Sequence, residues 1–338
     1  MQKNTMNKCI GVTIGDIRGI GIEILIKEWR KGNLNNFVLI TNYKLFKKYI
    51  DSKKISIPIF QTFIKNKTLI YSKNSFNVHN IKALNYNENT LLSLEESYKL
   101  AKNKFVIGIV TLPINKKKLN LINSKFIDQT TFFTKKDGQE ISNMIFAYNN
   151  TYFVPLTIHL ELKKVSREFK QTNKYFKKIL SLNQTIIRDF GIKKPKFIMA
   201  GINPHCGENG IISKEDNLLL KPIIKILKKL KINIDGPISP DAIVNKKNLK
   251  QYNCFIFTYH DQALIPFKLI SNYSGVNYTS NLDIIRVSPD HGTAYDMVGK
   301  NKASSEGIVN SFKYVKKIAL NRIKYDNTQK ISGSKFSH

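Results

Sequence analysis

The sequence predicts an α/β protein whose sheets are mostly parallel. Apolar runs typical of strands buried on both faces, such as 105–111 and 255–257, recur along the 338-residue chain. Segments with helical spacing separate these runs, as expected of alternating strands and helices. A strand, a glycine-rich turn and a helix follow one another near the N-terminus, which favours the same fold class.

The first third of the chain is predicted to start the sheet. The predicted elements are a strand at 8–14, a glycine-rich turn at 15–21, a helix at 22–29, a strand at 37–41, a helix at 91–101 and a strand at 105–111. The region 48–90 is weakly patterned. Gly15, Gly19 and Gly21 do not fit the G-x-G-x-x-G dinucleotide motif. Spacing alone therefore leaves a ligand loop and a simple tight turn equally open.

Three histidines close predicted strands in the second half of the chain. His159 follows the run 153–158, His205 follows 197–204, and His260 follows 255–257. Open α/β sheets bind ligands beyond the carboxyl ends of their strands. Three imidazoles without thiolates are typical of a catalytic divalent metal with one open coordination position. Separate structural histidines are the alternative, because the spacing shows no local metal motif.

Other parts of the second half are assigned by pattern. We expect helices at 165–191 and 215–230, and a loop opened by Asp235-Gly236-Pro237 that carries Asp241. The segment 128–133 is predicted to be a polar loop entering a helix. Its hydroxyls and backbone N–H groups suit an anion, whereas ordinary N-capping by Asp128 or a threonine is the competing interpretation.

The charge balance is strongly basic, with 55 Lys and Arg against 24 Asp and Glu and a net charge of +31. The lysines are spread along the chain, without a basic tail or a nucleic-acid-binding motif. We therefore expect an anionic small-molecule substrate rather than nucleic acid. No apolar run reaches the roughly 20 residues of a membrane span. The three cysteines lack C-x-x-C spacing, as in a reduced cytoplasmic protein without a signal peptide.

Several strings in a fixed order carry a family resemblance. They are GDIRGIGIE at 15–23, TLPINK at 111–116, NPHCGE at 203–208, YHDQ at 259–262, GVN at 275–277, IR at 285–286 and DHGTA at 290–294. Over nearly its whole length the chain resembles the 4-hydroxythreonine-4-phosphate dehydrogenases of pyridoxine biosynthesis. The loop 291–300 also looks like the adenosine-binding loop of the isocitrate and isopropylmalate dehydrogenases.

The resemblance implies a set of site residues. The metal ligands would be His159, His205 and His260, holding Zn²⁺ or, as alternatives, Mg²⁺ or Co²⁺. The substrate would contact Gln129, Thr130, Lys268, Asn277 and Arg286. The catalytic candidates are Lys268 together with Asp261 and Asp241, whose carboxylates could orient a ligand histidine or transfer a proton. NAD would bind at His291, Gly292, Thr293, Ala294 and Asp296.

The resemblance also implies an architecture. We expect a two-lobed fold of the isocitrate and isopropylmalate dehydrogenase type, with an active-site cleft between the lobes. An NAD-side lobe would comprise 1–126 and 287–330, and a metal, substrate and dimerisation lobe would comprise 127–286. Residues 331–338 would form a disordered tail. The family is homodimeric, with an active site shared between subunits.

The implied reaction is the metal-dependent, NAD-linked oxidation of 4-phosphooxy-L-threonine at C3. Decarboxylation to 3-amino-2-oxopropyl phosphate would follow, within pyridoxal 5'-phosphate (vitamin B6) biosynthesis. A sibling dehydrogenase of threonate or erythronate 4-phosphate is the first alternative. A basic nucleic-acid-binding protein is the second. The chain departs from the family pattern at Gln129 and Asn115, where histidines are usual, and at Ile17-Arg18, where a Pro-Ala pair is usual.

Overall fold

A computed structural model describes residues 9–124 and 126–334, which form two compact units. The first unit contains the described residues up to Gly138 together with Leu282–Ala319. The second contains Gln139–Asn281 and the described residues from Leu320 onward. Each unit has a sheet of six strands, parallel throughout in the first and mixed in the second, with helices beside it. The predicted α/β class is therefore confirmed.

The chain up to residue 138 contributes seven strands and five helices among the described residues. The strands are β1 (Ile10–Thr13), β2 (Phe37–Thr41), β3 (Ile59–Gln61), β4 (Phe63–Lys65), β5 (Thr68–Ile70), β6 (Phe76–Asn80) and β7 (Ile109–Thr111). The helices are α1 (Ile20–Arg30), α2 (Tyr43–Ser52), α3 (Tyr86–Lys102), α4 (Lys116–Asn120) and α5 (Gln129–Lys136).

The remaining chain follows the same alternation. Its strands are β8 (Met144–Tyr148), β9 (Thr151–Pro155), β10 (Phe197–Ala200), β11 (Ile234–Ile238), β12 (Cys254–Phe257), β13 (Val276–Thr279) and β14 (Arg286–Pro289). Its helices are α6 (Val165–Glu168), α7 (Thr172–Arg188), α8 (Lys221–Lys229), α9 (Lys246–Gln251), α10 (His260–Ser271) and α11 (Glu306–Ser334). Among the residues described, no helix is long and apolar enough to cross a membrane.

The first unit has a fully parallel sheet in the order β3-β6-β2-β1-β7-β14. Its central strands are buried, as parallel strands with helices on their faces must be. An apolar cluster that includes Val38, Leu94 and Phe133 forms part of its core. Because β1, β7 and β14 are parallel neighbours, the loops that follow them leave the same edge of the sheet.

The second unit has a mixed sheet in the order β11-β10-β12-β9-β8-β13. The first four of these strands are parallel, whereas β8 pairs antiparallel with both of its neighbours. Phe153, Phe255 and Phe257 stack within its core at centroid distances of 5.2 and 5.7 Å. The strands that precede His205, His260 and His159 are thus adjacent and parallel, and their carboxyl ends share one edge.

Some predicted element boundaries are wrong for identifiable reasons. The strand expected at 105–111 begins only at Ile109, because the N–H groups of Phe105 and Val106 bind the carbonyl of Leu100 and close helix α3. The loop expected at Asp235-Gly236-Pro237 is strand β11. It lies at the edge of the sheet, where a proline that donates no ladder hydrogen bond is tolerated.

The expected division of the chain differs from the observed units. The units change after Gly138 and after Asn281, so that Gln129, Thr130 and Arg286 lie in the first unit rather than in a substrate lobe at 127–286. The tail expected to be disordered from 331 starts inside helix α11, which runs to Ser334. Its last four residues lie outside the described residues, as does Lys8, the predicted first residue of strand β1.

Candidate functional site

His159 and His260 lie together in the second unit. Their ring centroids are 6.0 Å apart. They line a cavity of about 300 Å³ with Thr157, Tyr259, Asp261 and three aliphatic side chains. His159 is exposed and has a left-handed backbone with a φ of 51°. His260 is the first residue of α10, and its Nδ1 lies 2.6 Å from Oδ1 of Asp261. This carboxylate leaves Nε2 of His260 as the ring nitrogen available to a ligand.

His205 stands in an unusual turn after β10. Five consecutive residues, 205–209, have left-handed backbones with φ between 46° and 76°. Such conformations are costly for residues with a Cβ and persist where the surroundings enforce them. Asp241 lies close enough that the charge of His205 contributes to its lowered pKa. The largest cause of that lowering is the hydrogen bond donated by Ser239.

The donor set fits a divalent metal in part. Two imidazoles that share one tetrahedral ion have centroids about 5–6 Å apart, given metal–nitrogen distances of about 2.0–2.1 Å. The 6.0 Å between His159 and His260 is at the upper end of that range. In residues 9–124 and 126–334, however, no group of three or more His, Cys, Asp and Glu side chains is arranged to hold a metal. His205 is therefore not brought to the other two histidines within one chain.

Arg286 is the best-organised cation in the first unit. It begins β14 and is only 3% exposed. Its Nε donates to Oγ1 of Thr111 at 2.9 Å, Nη2 to Oε1 of Gln129 at 2.8 Å, and Nη1 to Oγ1 of Thr130 at 3.3 Å. Burial lowers its pKa to about 10, and the charge of Asp128 acts in the opposite direction. Neutral acceptors thus fix the guanidinium while its charge is kept at neutral pH.

Gln129 and Thr130 reach Arg286 from the start of α5. Asp128 caps this helix by accepting from the N–H of Thr131 at 2.8 Å, as the N-capping interpretation expects, while anion binding at this segment stays a prediction. The carboxamide of Gln129 makes two hydrogen bonds. Its Oε1 accepts from Arg286, and its Nε2 donates to the carbonyl of Leu112 at 3.0 Å. Thr130 and Gln129 are both buried. The two residues therefore act as a frame around the guanidinium.

Lys268 and Asn277 lie in the second unit. Lys268 is exposed on α10, with its Nζ 5.9 Å from the ring centroid of Tyr273. Asn277 belongs to β13, and its side-chain oxygen is buried without a hydrogen-bond partner among the described residues. A buried acceptor of this kind normally finds a donor. Asn277 is accordingly suited to a ligand that brings a hydroxyl or an amino group.

The loop after β14 carries the residues expected to bind NAD. Nδ1 of His291 donates to the carbonyl of Gly292 at 3.1 Å, because a carbonyl oxygen can only accept; Nδ1 therefore carries the proton of the neutral ring. Its Nε2 is then a buried acceptor without a partner among the described residues. Burial lowers the pKa of His291, so the ring stays neutral. Asp296 and Gly292 are exposed. This loop fits a cofactor that offers a hydroxyl or amino donor.

The loop also contacts the glycine-rich turn after β1. The carbonyl of Thr293 accepts from the N–H of Ile20 at 3.0 Å. A Cβ on Gly19 would lie 2.7 Å from that carbonyl oxygen, so the contact requires glycine at this position. The loop is thus seated on the N-terminal end of α1.

Comparison with known proteins decides the family. The family model described as "Pyridoxal phosphate biosynthetic protein PdxA" matches residues 33–315. The chain belongs to this family. A 4-hydroxythreonine-4-phosphate dehydrogenase of Zymomonas mobilis subsp. mobilis is 31% identical over 334 residues, covering 94% of this chain and 98% of the relative. The expected family and enzyme class, a dehydrogenase, are confirmed.

Two further relatives bear on fold and substrate. The crystal structure of a 4-hydroxythreonine-4-phosphate dehydrogenase from Klebsiella pneumoniae has a TM-score of 0.79 at 27% identity, covering 94% of this chain and 99% of that one. A D-threonate 4-phosphate dehydrogenase of Pectobacterium atrosepticum is 26% identical, covering 93% of this chain and all, 100%, of the relative. The PdxA fold is therefore shared with proteins named for two different substrates.

A buried carboxylate, Asp16, connects two of the positions, 18 and 115, at which this chain departs from the family pattern. Asp16 accepts from the hydroxyl of Tyr295 at 2.6 Å and from Nε of Arg18 at 3.1 Å. Asn115 donates to the same tyrosine hydroxyl at 2.9 Å. The first cause acting on the pKa of Asp16 is burial, which raises it, but the bonds from Tyr295 and Arg18 outweigh it and the pKa is lowered. The substitutions at 18 and 115 thus support one network.

Sequence reasoning missed this network and the role of Gln262. Tyr295 stands within the resemblance to an adenosine-binding loop, yet its sequence neighbours give no sign of a contact with Asp16. Gln262 is the last letter of the YHDQ string, and its Nε2 donates to the carbonyl of Gly201 at 2.9 Å. Its place in the string was the only available signal.

Proposed function

We propose that this protein is a metal-dependent, NAD-linked dehydrogenase of 4-phosphooxy-L-threonine in pyridoxal 5'-phosphate biosynthesis. The observation that carries the proposal is the placement of His159, His205 and His260 after three neighbouring parallel strands of a PdxA-family chain. Oxidation at C3 transfers one hydride to NAD and releases one proton. The β-keto acid then loses CO2 to give 3-amino-2-oxopropyl phosphate.

We assign a substrate-binding role to residues of each unit. Arg286, framed by Gln129 and Thr130, is suited to a bidentate contact with a phosphate or carboxylate. Lys268 would add a second positive charge, and the unpartnered oxygen of Asn277 would accept from the substrate's hydroxyl or amino group. Asp261 would orient His260 through its contact with Nδ1. Asp241 is the remaining candidate for proton transfer, beside His205.

We propose that the imidazoles bind a divalent ion, Zn²⁺ first and Mg²⁺ or Co²⁺ as alternatives. Such an ion supplies a Lewis acid that lowers the pKa of the C3 hydroxyl and stabilises the negative charge that develops during decarboxylation. His159 and His260 would supply two ligands in this chain. For NAD, we assign His291, Gly292, Thr293 and Ala294, with Asp296 at the exposed end of the loop. Neutral His291 would accept a hydrogen bond from the cofactor through Nε2.

We further propose that the protein is a homodimer whose second copy covers α10. Ile265 and Leu269 stand one turn apart on this helix and are 71% and 84% exposed. The same helix begins with His260, and no described group of three donors completes a metal site in one chain. A second copy seated on α10 would bury the two apolar side chains and bring its own donors to His159 and His260.

The sibling substrate is a second candidate, favoured by the similarity to the Pectobacterium D-threonate 4-phosphate dehydrogenase. The two substrates differ at C2, where one has an amine and the other a hydroxyl. The deciding experiment measures NADH absorbance with NAD, added Zn²⁺ or Mg²⁺, and either 4-phosphooxy-L-threonine or erythronate 4-phosphate. Turnover of the amino acid that a chelator abolishes and metal restores is the expected result.

Other outcomes of that experiment have definite meanings. Turnover of erythronate 4-phosphate alone would select the sibling dehydrogenase. If folded and metal-loaded protein produces no NADH with either substrate, the dehydrogenase proposal is contradicted. Salt-dependent binding to unrelated DNA duplexes without NADH production would instead support nucleic-acid binding by the basic surface.

A further inference from the structure

Three polar segments follow the strands that precede the histidines of the second unit. Thr157 follows β9 and lies two residues before His159. Thr258 follows β12 and lies two residues before His260. Gly201 follows β10, on the path to His205. These segments fix the backbone from which each of the three histidines extends.

A chain of hydrogen bonds joins the three segments. The hydroxyl of Thr157 donates to the carbonyl of Thr258 at 2.7 Å, and the N–H of Thr157 donates to the same oxygen at 3.2 Å. Oε1 of Gln262 accepts from the N–H and the hydroxyl of Thr258 at 2.8 and 2.9 Å. Nε2 of Gln262 donates to the carbonyl of Gly201 at 2.9 Å. One carboxamide therefore connects β12 with β10, while Thr157 connects β12 with β9.

The segment at Gly201, at one end of this series of hydrogen bonds, is closely packed and has further hydrogen bonds to Asp216. A Cβ on Gly201 would lie 2.7 Å from Oδ1 of Asp216 and 2.8 Å from Sγ of Cys206. The fully buried carboxylate of Asp216 accepts from the N–H groups of Ile202 and Asn203 at 2.7 and 3.2 Å. The segment before His205 is thus clamped between Gln262 on one side and Asp216 on the other.

Gln262 makes both bonds through one carboxamide. It accepts at one end and donates at the other, whereas glutamate lacks the donor and methionine lacks both groups. Because the bonds reach backbone atoms at buried strand ends, a change at Gln262 shifts the segments and not merely its own side chain. The contact to Gly201 is made across 61 positions of sequence, so no local structure replaces it.

We propose that Gln262 is a positioning residue that sets the spacing of the segments carrying His159, His205 and His260. This inference rests on the proposed function, since the spacing matters for turnover only if the histidines bind the metal. Gln262 acts through the backbone of Thr258 and Gly201 rather than by touching the substrate. Residues that orient metal ligands from outside typically change metal affinity or activity by about 10- to 100-fold when removed.

The test compares Gln262→Met with Gln251→Met in the full-length protein. Methionine keeps the length of the side chain and removes its hydrogen bonds. Gln251 is an exposed glutamine of the same unit and serves as the matched control. Metal affinity is measured by titrating Co²⁺ and following its visible absorption. We expect Gln262→Met to bind Co²⁺ about 10- to 100-fold more weakly, while NAD binding measured by calorimetry and the affinity of Gln251→Met stay at the wild-type values.

Thr157→Val provides a second, nearly isosteric break in the same chain. It removes the hydroxyl bond to Thr258 and leaves the backbone bond in place, so we expect a smaller loss of Co²⁺ affinity in the same direction. If Gln262→Met does not fold, the Co²⁺ affinity of Thr157→Val tests whether these hydrogen bonds position the metal ligands. The Co²⁺ absorption spectrum of each variant should also change shape, because the donors are displaced.

Unchanged Co²⁺ affinity in both variants would overturn the inference. A lower melting temperature with wild-type Co²⁺ affinity well below that temperature would overturn it too, because Gln262 would then be merely structural. A different result would show that the proposed function itself is wrong. In that case the Co²⁺ spectrum of the wild-type protein is absent or is unchanged by His260→Ala, and both the metal site and the inference about Gln262 are refuted.

Discussion

The Arg286 cluster and the His159–His260 pocket, for which we propose an anion and a metal ion as ligands, differ in how their side chains are held. Arg286 is 3% exposed, and three side chains of its own unit fix all three of its nitrogens. The side chain of His260 is 36% exposed and that of its neighbour Asp261 is 73% exposed. The hydrogen bonds of the cluster are all made within its own unit, whereas the described residues of the pocket include no group of three His, Cys, Asp or Glu side chains arranged to hold a metal.

The difference has a physical origin. A buried guanidinium must be hydrogen-bonded in the unliganded fold, because an unsatisfied buried charge is strongly destabilising. An imidazole that is partly exposed carries no such demand, because it can be neutral and solvent can reach it. We therefore expect folding alone to orient the side chain of Arg286, whereas at the proposed metal site folding positions the backbone and the bound ion orients the imidazoles. The predictions that follow test each half of this contrast.

The largest effect is expected from His260→Ala. Removing one of two imidazoles that share a cavity should abolish both metal retention and metal-dependent NADH production, because a catalytic site needs its protein ligands to hold the ion. Metal content is measured by atomic emission after gel filtration, alongside NADH absorbance. His79→Ala, which removes a partly buried histidine of the first unit, is the matched control. Wild-type metal content in His260→Ala would refute the assignment.

Arg286→Met should reduce kcat/KM for the phosphorylated substrate by about 100-fold or more. Truncating a buried charged partner typically costs about 2–5 kcal/mol. Steady-state kinetics with each substrate varied in turn provide the measurement. Metal content and NAD affinity should be retained, since the change lies in the anion site. Arg30→Met, at an exposed arginine of the same unit, should leave the kinetics unaltered. Equal losses in both variants would contradict a specific role.

Leu269→Glu should weaken the proposed dimer about 10-fold or more. A leucine buried at an interface contributes about 1.5–3 kcal/mol, and a carboxylate in its place must be desolvated. Sedimentation velocity over a concentration series measures the change. Leu84 is 89% exposed in the first unit, so Leu84→Glu controls for the added charge. If Leu269→Glu and wild type sediment alike at every concentration, α10 is not the covered surface.

The smallest effect is expected from Gln129→His, which restores the residue usual in the family. A neutral imidazole can accept from Arg286 and donate to Leu112, but a protonated one cannot accept and repels the guanidinium. Activity relative to wild type should therefore be near unity at alkaline pH and fall by about 10-fold or less below the histidine pKa of roughly 6.5. A ratio that is constant across pH would show that position 129 does not frame Arg286.

The sequence by itself determined the fold class, the family and the position of each candidate residue relative to a strand. These depend on local patterns: apolar runs, turn residues and strings such as YHDQ. That His159, His205 and His260 follow strands was readable from the sequence. The edge position of β11 could not be predicted from the sequence. The Asp-Gly-Pro string predicts a loop unless the neighbouring strands are known.

The tertiary structure alone decided which side chains meet. Thr157 contacts Thr258 across 101 positions, and Arg286 contacts Gln129 across 157. Nothing in the local sequence encodes such contacts, since they follow from the order in which parallel strands assemble. The same order makes β9, β12 and β10 neighbours, which places Gln262 between them. The sequence therefore determines which chemical groups are present, and the assembly of the strands determines where these groups lie relative to one another.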